Sequence, residues 1–131
     1  MGGKSVEIPI SKLADAVTNE LSSYSAEVAK VVDECVEDVA NQCVDKLKST
    51  SPRRTGKYAE GWKSEVAYHK SGNKRIVVRN KKYYYLTHLL EYGHALKGGK
   101  GRVKAIVHIK PVENFAKKEL QRQIEVRVKK V

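Results

Sequence analysis

Four histidines (His69, His88, His94 and His108) and the carboxylate of Glu91 are the residues whose types invite a chemical reading. His88 and Glu91 stand one helical turn apart, His94 follows closely, and His108 completes a sketch of a metal-ligand set. The spacing fits no ligand pattern, and the surrounding Lys and Arg oppose a cation. Hydrogen-bonded or solvated histidines are the expectation, and no metal is expected. The glycines around Gly98 invite a phosphate-loop reading. From Gly93 to Gly98 the interval is right, but Gly99 stands where the pattern needs Lys. Counting to Gly99-Lys100 makes the interval one residue too long, and Gly101 replaces the hydroxyl. A metal-dependent nuclease needs clustered carboxylates. Residues 51–131 contain no Asp, and their six Glu are scattered. No nucleophile turn for a Ser-His-acid triad is present. Tyr83-Tyr84-Tyr85, with Tyr92 nearby, are aromatics that stack bases in other settings. Consecutive helical residues point in different directions, so core or interface use is expected instead. No catalytic residue and no cofactor are expected, and the chain reads as a non-enzyme.

The charge of this 131-residue chain is divided along its length. Residues 1–50 hold five Lys/Arg against nine Asp/Glu, a net of −4, and residues 51–131 hold 21 against six, a net of +15. The basic part suits a polyanion such as DNA. Equally, the acidic segment of one subunit suits the basic part of a neighbour. Cys35 and Cys43 lie eight residues apart in a helical stretch, about 12 Å along the axis. That is too far for a disulfide, so they read as core residues of a reducing compartment. The longest uncharged run, Tyr83 to Leu90, is far shorter than a membrane span. The N-terminus shows neither an apolar signal core nor a myristoylation pattern. A cytoplasmic location without membrane contact is expected.

The elements that must position these residues follow from periodicity. Ser11 is a candidate N-cap for a helix over 12–48, with Asp15 in its first turn. Its stripe runs Ala14, Val17, Leu21, Tyr24, Val28, Val31, Cys35, then Val39, Cys43 and Leu47. Unbroken, it would be ~55 Å long, so Val17, Leu21, Tyr24 and Val28 are assigned to a subunit interface. Ser22, Ser23 and Ser25 mark a kink, and Pro52 ends the element. Residues 53–60 read as a basic loop or short turn around Thr55-Gly56. Trp62, Ser64, Val66 and Tyr68 alternate as the inward face of a strand, Ser71-Gly72-Asn73 turns, and Arg75–Asn80 returns. Tyr83–Tyr92 reads as a helix closed by Gly93. A mobile basic loop over 94–102 precedes a third strand with Val103, Ala105, Val107 and Ile109 on one face. Pro111 opens the last helix, with Glu113 in its first turn and the stripe Val112, Ala116, Leu120, Ile124, Val128. The expected class is α+β. A long N-terminal helix and a C-terminal helix pack on a small, mainly antiparallel sheet within a single domain, 1–131.

Three stretches together resemble a known family. Ser51-Pro52-Arg53-Arg54-Thr55-Gly56-Lys57-Tyr58-Ala59-Glu60-Gly61-Trp62 is similar to its entry into the first strand. Tyr84-Tyr85-Leu86 through Leu89-Leu90-Glu91-Tyr92-Gly93-His94, then Gly98-Gly99, is similar to its Tyr…Glu-x-Gly block. Val107-His108-Ile109-Lys110-Pro111-Val112-Glu113 is similar to its entry into the last helix. The family is the minor tail-component proteins of long-tailed bacteriophages and prophages, also called neck, head–tail joining or tail-completion proteins. The resemblance covers roughly residues 50–118 and rests on Pro52, Thr55, Gly56, Glu91, Gly93, His108 and Pro111. Tyr58 departs from a usual Leu, Gly61 from a usual Ser and Val112 from a usual Ala.

The resemblance implies a non-enzymatic virion protein that passes through the host cytoplasm during assembly. It implies a homomeric ring, most simply a hexamer, around the DNA channel, with adjacent neck, connector and tail-tube proteins as partners. Transient contact with phage DNA is a further implication. Most motif residues read as fold-forming, with Glu91 either pairing with a cation or capping backbone amides. Lys97, Lys100, Arg102 and Lys104 lie within eight residues, interleaved with glycine, and are the candidate contact with a partner or the DNA channel. The rival expectation is a small basic protein that binds nucleic acid without sequence preference.

Overall fold

A computed structural model describes residues 5–10, 26–53, 56–70 and 73–130. Along the chain these form β1 (Ile8–Pro9), α1 (Ala26–Thr50), the short α2 (Lys57–Glu60), β2 (Trp62–Lys70) and β3 (Asn73–Asn80). Then come α3 (Tyr84–Tyr92), β4 (His94–Ala95), a 3-10 turn (Lys97–Gly99), β5 (Arg102–Val103) and α4 (Ile109–Val128). The class is α+β, with a long helix before the β2–β3 pair and a second long helix at the C-terminal end, as expected.

α1 is 25 residues long, about 37 Å. Its buried positions include Val28, Ala29, Val32, Cys35, Val36, Val39, Ala40, Cys43 and Leu47. The stripe is wider than the expected one, because Val32 and Val36 face inward beside it. A helix held between a sheet and a second helix must bury a broad face. The helix continues to Thr50, two residues past the expected end. Ser49 and Thr50 bond back to the Lys46 carbonyl and Ser51 to that of Leu47, reinforcing the last ladder bonds, and Arg53 Nη2 donates to the Lys48 carbonyl, an orphan acceptor of the last turn. Pro52 follows. Ala14, Val17, Leu21 and Tyr24, the Ser11 cap, Asp15 and the serine kink lie outside the described residues. Val28 is buried in the subunit's own core cluster, where an interface position was expected.

β2 and β3 form the hairpin, paired from Trp62↔Asn80 to Lys70↔Asn73. Residues 71–72, the expected turn, lie outside the described residues. Of the expected inward face of β2, Trp62 is fully buried, but Val66 and Tyr68 are exposed. The register shifts between Val66 and Tyr68, and such a bulge re-aims Tyr68 beyond it, whereas Val66 lies before the shift, on an edge strand of the sheet. β1 completes the sheet, antiparallel to β3, with Ile8 opposite Val78 and Pro9 opposite Val77. The order is β1-β3-β2, so Pro9 sits on an edge strand, where a missing N–H is tolerated.

The expected third strand through Val103, Ala105, Val107 and Ile109 does not form. Only Arg102–Val103 is extended and paired, Val107 is exposed, and Ile109 begins α4. The expected loop over 94–102 is instead a small hairpin, β4 against β5, closed by the 3-10 turn. α4 starts two residues before Pro111, which still falls in the first turn where no N–H is needed. Its stripe is as expected. Val112, Ala116, Leu120 and Ile124 are buried, and Val128 packs against the core from its edge. α4 lies along α1, and Lys46 Nζ sits 4.4 Å over the Phe115 ring between them. Each buried Val, Leu or Ile side chain contributes about 2 kcal/mol.

Candidate functional site

The polar residues of the motif blocks meet at one end of the core. α3 ends because Gly93 turns the chain at φ 73°, and a Cβ there would stand 2.5 Å from the Val103 carbonyl oxygen. The chain leaves, forms the β4–β5 hairpin and returns, and the Ile106 amide bonds to the Leu90 carbonyl at 2.7 Å. This return brings the start of α4 onto Glu91. The Glu91 carboxylate accepts the amides of His108 and Ile109 on Oε1, both at 2.8 Å, and that of Lys110 on Oε2 at 2.9 Å. The next residue is Pro111, which has no N–H. Every orphan donor at this helix start is thereby answered or missing. The negative charge also lies against the positive end of the helix. Of the two expected roles for Glu91, the structure selects amide capping.

His108 links this cap to the first motif block. Its Nδ1 lies 2.7 Å from the Ile106 carbonyl and 3.1 Å from Glu91 Oε1. Two acceptors there place the ring proton on Nδ1 in the neutral ring. Nε2 then accepts from the Tyr58 hydroxyl at 2.8 Å. Burial, reinforced by the Glu91 charge, pushes the Tyr58 hydroxyl above its ordinary value, which keeps it a donor. Tyr58, Trp62 and His108 pack edge to face, with ring centres 5.6–6.3 Å apart. Trp62 Nε1 donates to Ser51 Oγ, which bonds to the end of α1. Asn80 donates to the Tyr58 carbonyl and accepts from the Tyr83 amide. One polar knot thus fastens α1, α2, β2, β3, α3 and α4.

The two departures in the first block have structural reasons. Tyr58, where Leu is usual, supplies the hydroxyl for His108. Gly61, where Ser is usual, leaves room for the Asn80 carboxamide, into which a Cβ would run. Gly56 adopts φ 81° before α2, and Pro52 is half-buried after α1. Thr55 lies outside the described residues. Sequence reasoning did not foresee Tyr58 or Asn80 as members of the knot. Asn80 at a strand end, three residues before an aromatic helix start, was the available signal.

The other candidate residues lie apart from the knot. His88 lies against Tyr92 with ring centres 5.0 Å apart and the planes tilted by 51°, and His94 sits in β4. Among the described residues no group of three His, Cys, Asp or Glu side chains gathers as a metal site requires. Nor is any helix among them long and apolar enough to cross a membrane. Lys100, Arg102 and Lys104 are exposed on the hairpin and its return, and none forms an ion pair among the described residues. For Lys97 the backbone alone is described, within the 3-10 turn. A surface groove of about 330 Å³ lies beside β3, lined by Ser5, Glu7, Arg79, Asn80, Lys81 and Tyr84. Its two cations are already held by Glu65. Those contacts, that from Lys81 first, draw the Glu65 carboxyl below its ordinary value.

A two-helix sheet module, fastened at one end by a buried carboxylate cap and extended there by a basic hairpin, is the class these features define. Residues 15–93 match the model of the family described as "Bacteriophage HK97-gp10, putative tail-component", and the chain belongs to that family of phage structural proteins. The match takes in the first motif block, the second as far as Gly93, and the whole of α1. No curated protein and no solved structure matches the chain.

Proposed function

We propose that this protein is a non-enzymatic subunit of the phage neck, which completes the tail and joins it to the head around the DNA channel. The observation that carries the reading is the tail-component match over residues 15–93. The knot supports it. Glu91 and His108, the residues best equipped for chemistry, have their polar atoms engaged in joining elements of the fold. In this reading the chain forms a homomeric ring, most simply six subunits, and sits in the virion after assembly in the host cytoplasm. Its partners are the adjacent neck, connector and tail-tube proteins.

Deleting the gene from its phage should leave filled heads and tails that fail to join, seen by electron microscopy of lysates. Joined, infectious particles from the deletion overturn the reading. A sedimenting monomer, both alone and with its neck partners, removes the ring. The exposed cations of the hairpin favour a second reading, a non-specific nucleic-acid binder. Its signature is tight duplex binding that falls steeply with salt.

A further inference from the structure

The stretch from Tyr92 to Val107 holds apolar and cationic groups in water together. Tyr92, Leu96, Val103, Ile106 and Val107 are each between 38% and 59% exposed. Lys100, Arg102 and Lys104 stand among them, and the chain has no Asp or Glu between Glu91 and Glu113. The backbone of this stretch is tied down. β4 pairs with β5, Leu96 bonds to Gly101 at 2.7 Å, and Ile106 bonds to Leu90. At its end the Glu91 cap fixes residues 108–110. Apolar groups fixed in an exposed position are disfavoured in water and mark contact surfaces.

We propose that the β4–β5 hairpin and its return to α4 form a docking surface for an acidic segment, bearing apolar side chains, of a different virion protein. The proposal rests on the reading of the chain as an assembling phage component, and it names the partner's chemistry. Duplex DNA fits less well, since a phosphate backbone offers nothing to Ile106 and Val107. A second copy of the chain also fits less well. Three of the six acids of α1 already meet basic side chains within the subunit: Glu34 meets Arg127, Glu37 meets Lys74, and Asp33 lies 3.4 Å from the His69 ring. Pairing this surface with the same surface of a second copy would set cation against cation, since neither brings an Asp or Glu between Glu91 and Glu113. A foreign acidic and apolar segment complements both properties of the surface.

The test uses the full-length protein and three fluorescent probes read by anisotropy. These are a short peptide of alternating Glu and Val, a polyglutamate peptide of equal charge, and a short DNA duplex. The Glu–Val peptide should bind at least about tenfold more tightly than polyglutamate. Both I106S/V107S and K100Q/R102Q/K104Q should weaken it about tenfold. The control K63Q/K117Q/K118Q removes equal charge elsewhere and should leave binding unchanged. Thermal melting checks that each variant folds, and Val107→Ser alone replaces the double variant if it does not. Equal binding of the two peptides overturns the proposal. So does absence of binding, an equal effect of the two cation triples, or tighter binding of the duplex through Lys100, Arg102 and Lys104. A ring-forming protein that fails here leaves the neck reading standing. A monomer that passes keeps the surface and loses the ring.

Discussion

Glu91 shows how a single carboxylate can serve as scaffold. Its two oxygens hold three backbone amides, and the helix they begin continues with a proline. Glu91→Gln replaces one oxygen with a donor aimed at donors and removes the charge. We expect it to lower stability by about 3 kcal/mol in urea titrations, against under about 0.5 kcal/mol for Glu113→Gln. Glu119 gives a pH signature. Its hydrogen bond from Arg122, then that from Gln123, lowers its carboxyl from 4.5 to about 2. A depressed folded value means the stabilisation is complete above about pH 4.5 and is lost as pH falls toward 2. Glu119→Gln should flatten that part of the acid limb in a series of urea midpoints. The thiols carry a third prediction. Burial, the largest cause for both, raises Cys35 and pushes Cys43 up to about 12. Neither should react with a thiol reagent at pH 8 until denaturant unfolds the chain.

Elements were legible in the sequence where their partners are local or their period is long. The α4 stripe, the β2–β3 hairpin and the helix closed by Gly93 follow from repeated side-chain spacing. β1 carried no such signal. Two residues, one a proline, have no period, and their pairing with Val77 and Val78 is set by chain far away. The alternation of Val103, Ala105, Val107 and Ile109 was a true pattern with a different outcome. Glu91 captures the amides of residues 108–110 and starts a helix there, overriding local strand preference. The site was legible to the same extent. The motif positions Glu91, Gly93, His108 and Pro111 could be picked out, whereas Tyr58 and Asn80 needed the three-dimensional return of the chain. Gly93 tests the element scale. Gly93→Ala places a Cβ against the Val103 carbonyl and the Ala105 amide, so it should destabilise well beyond Gly99→Ala. The latter shares a positive φ but opens into free space, and about 1 kcal/mol is expected for it by thermal melting.

Across the whole molecule, the division of charge is partly a device of folding. Part of the acidic helix is matched within one subunit, Glu34 by Arg127 and Glu37 by Lys74, with Asp33 in contact with the His69 ring. That matching narrows what remains for neighbours, chiefly the hairpin cations and the exposed Val66 and Tyr68 on the edge strand β2. Replacing Lys97, Lys100, Arg102 and Lys104 with Gln should leave melting unchanged, because loop charges contribute little to stability. The same variant should lower the yield of joined particles in a phage complementation assay. Normal yields would remove the hairpin from the joining step. The position of β1 bears on time as well as space. Ile8 lies opposite Val78, so the ribosome makes the first strand about 70 residues before its partner. At a rate on the order of ten residues per second, Ile8 and Ile10 wait several seconds for the edge they will cover. During that interval a nascent chain exposes the first half of the seam without its partner. Closing it is therefore a late event of biosynthesis, and a neighbouring nascent chain competes for the same edge until it is done.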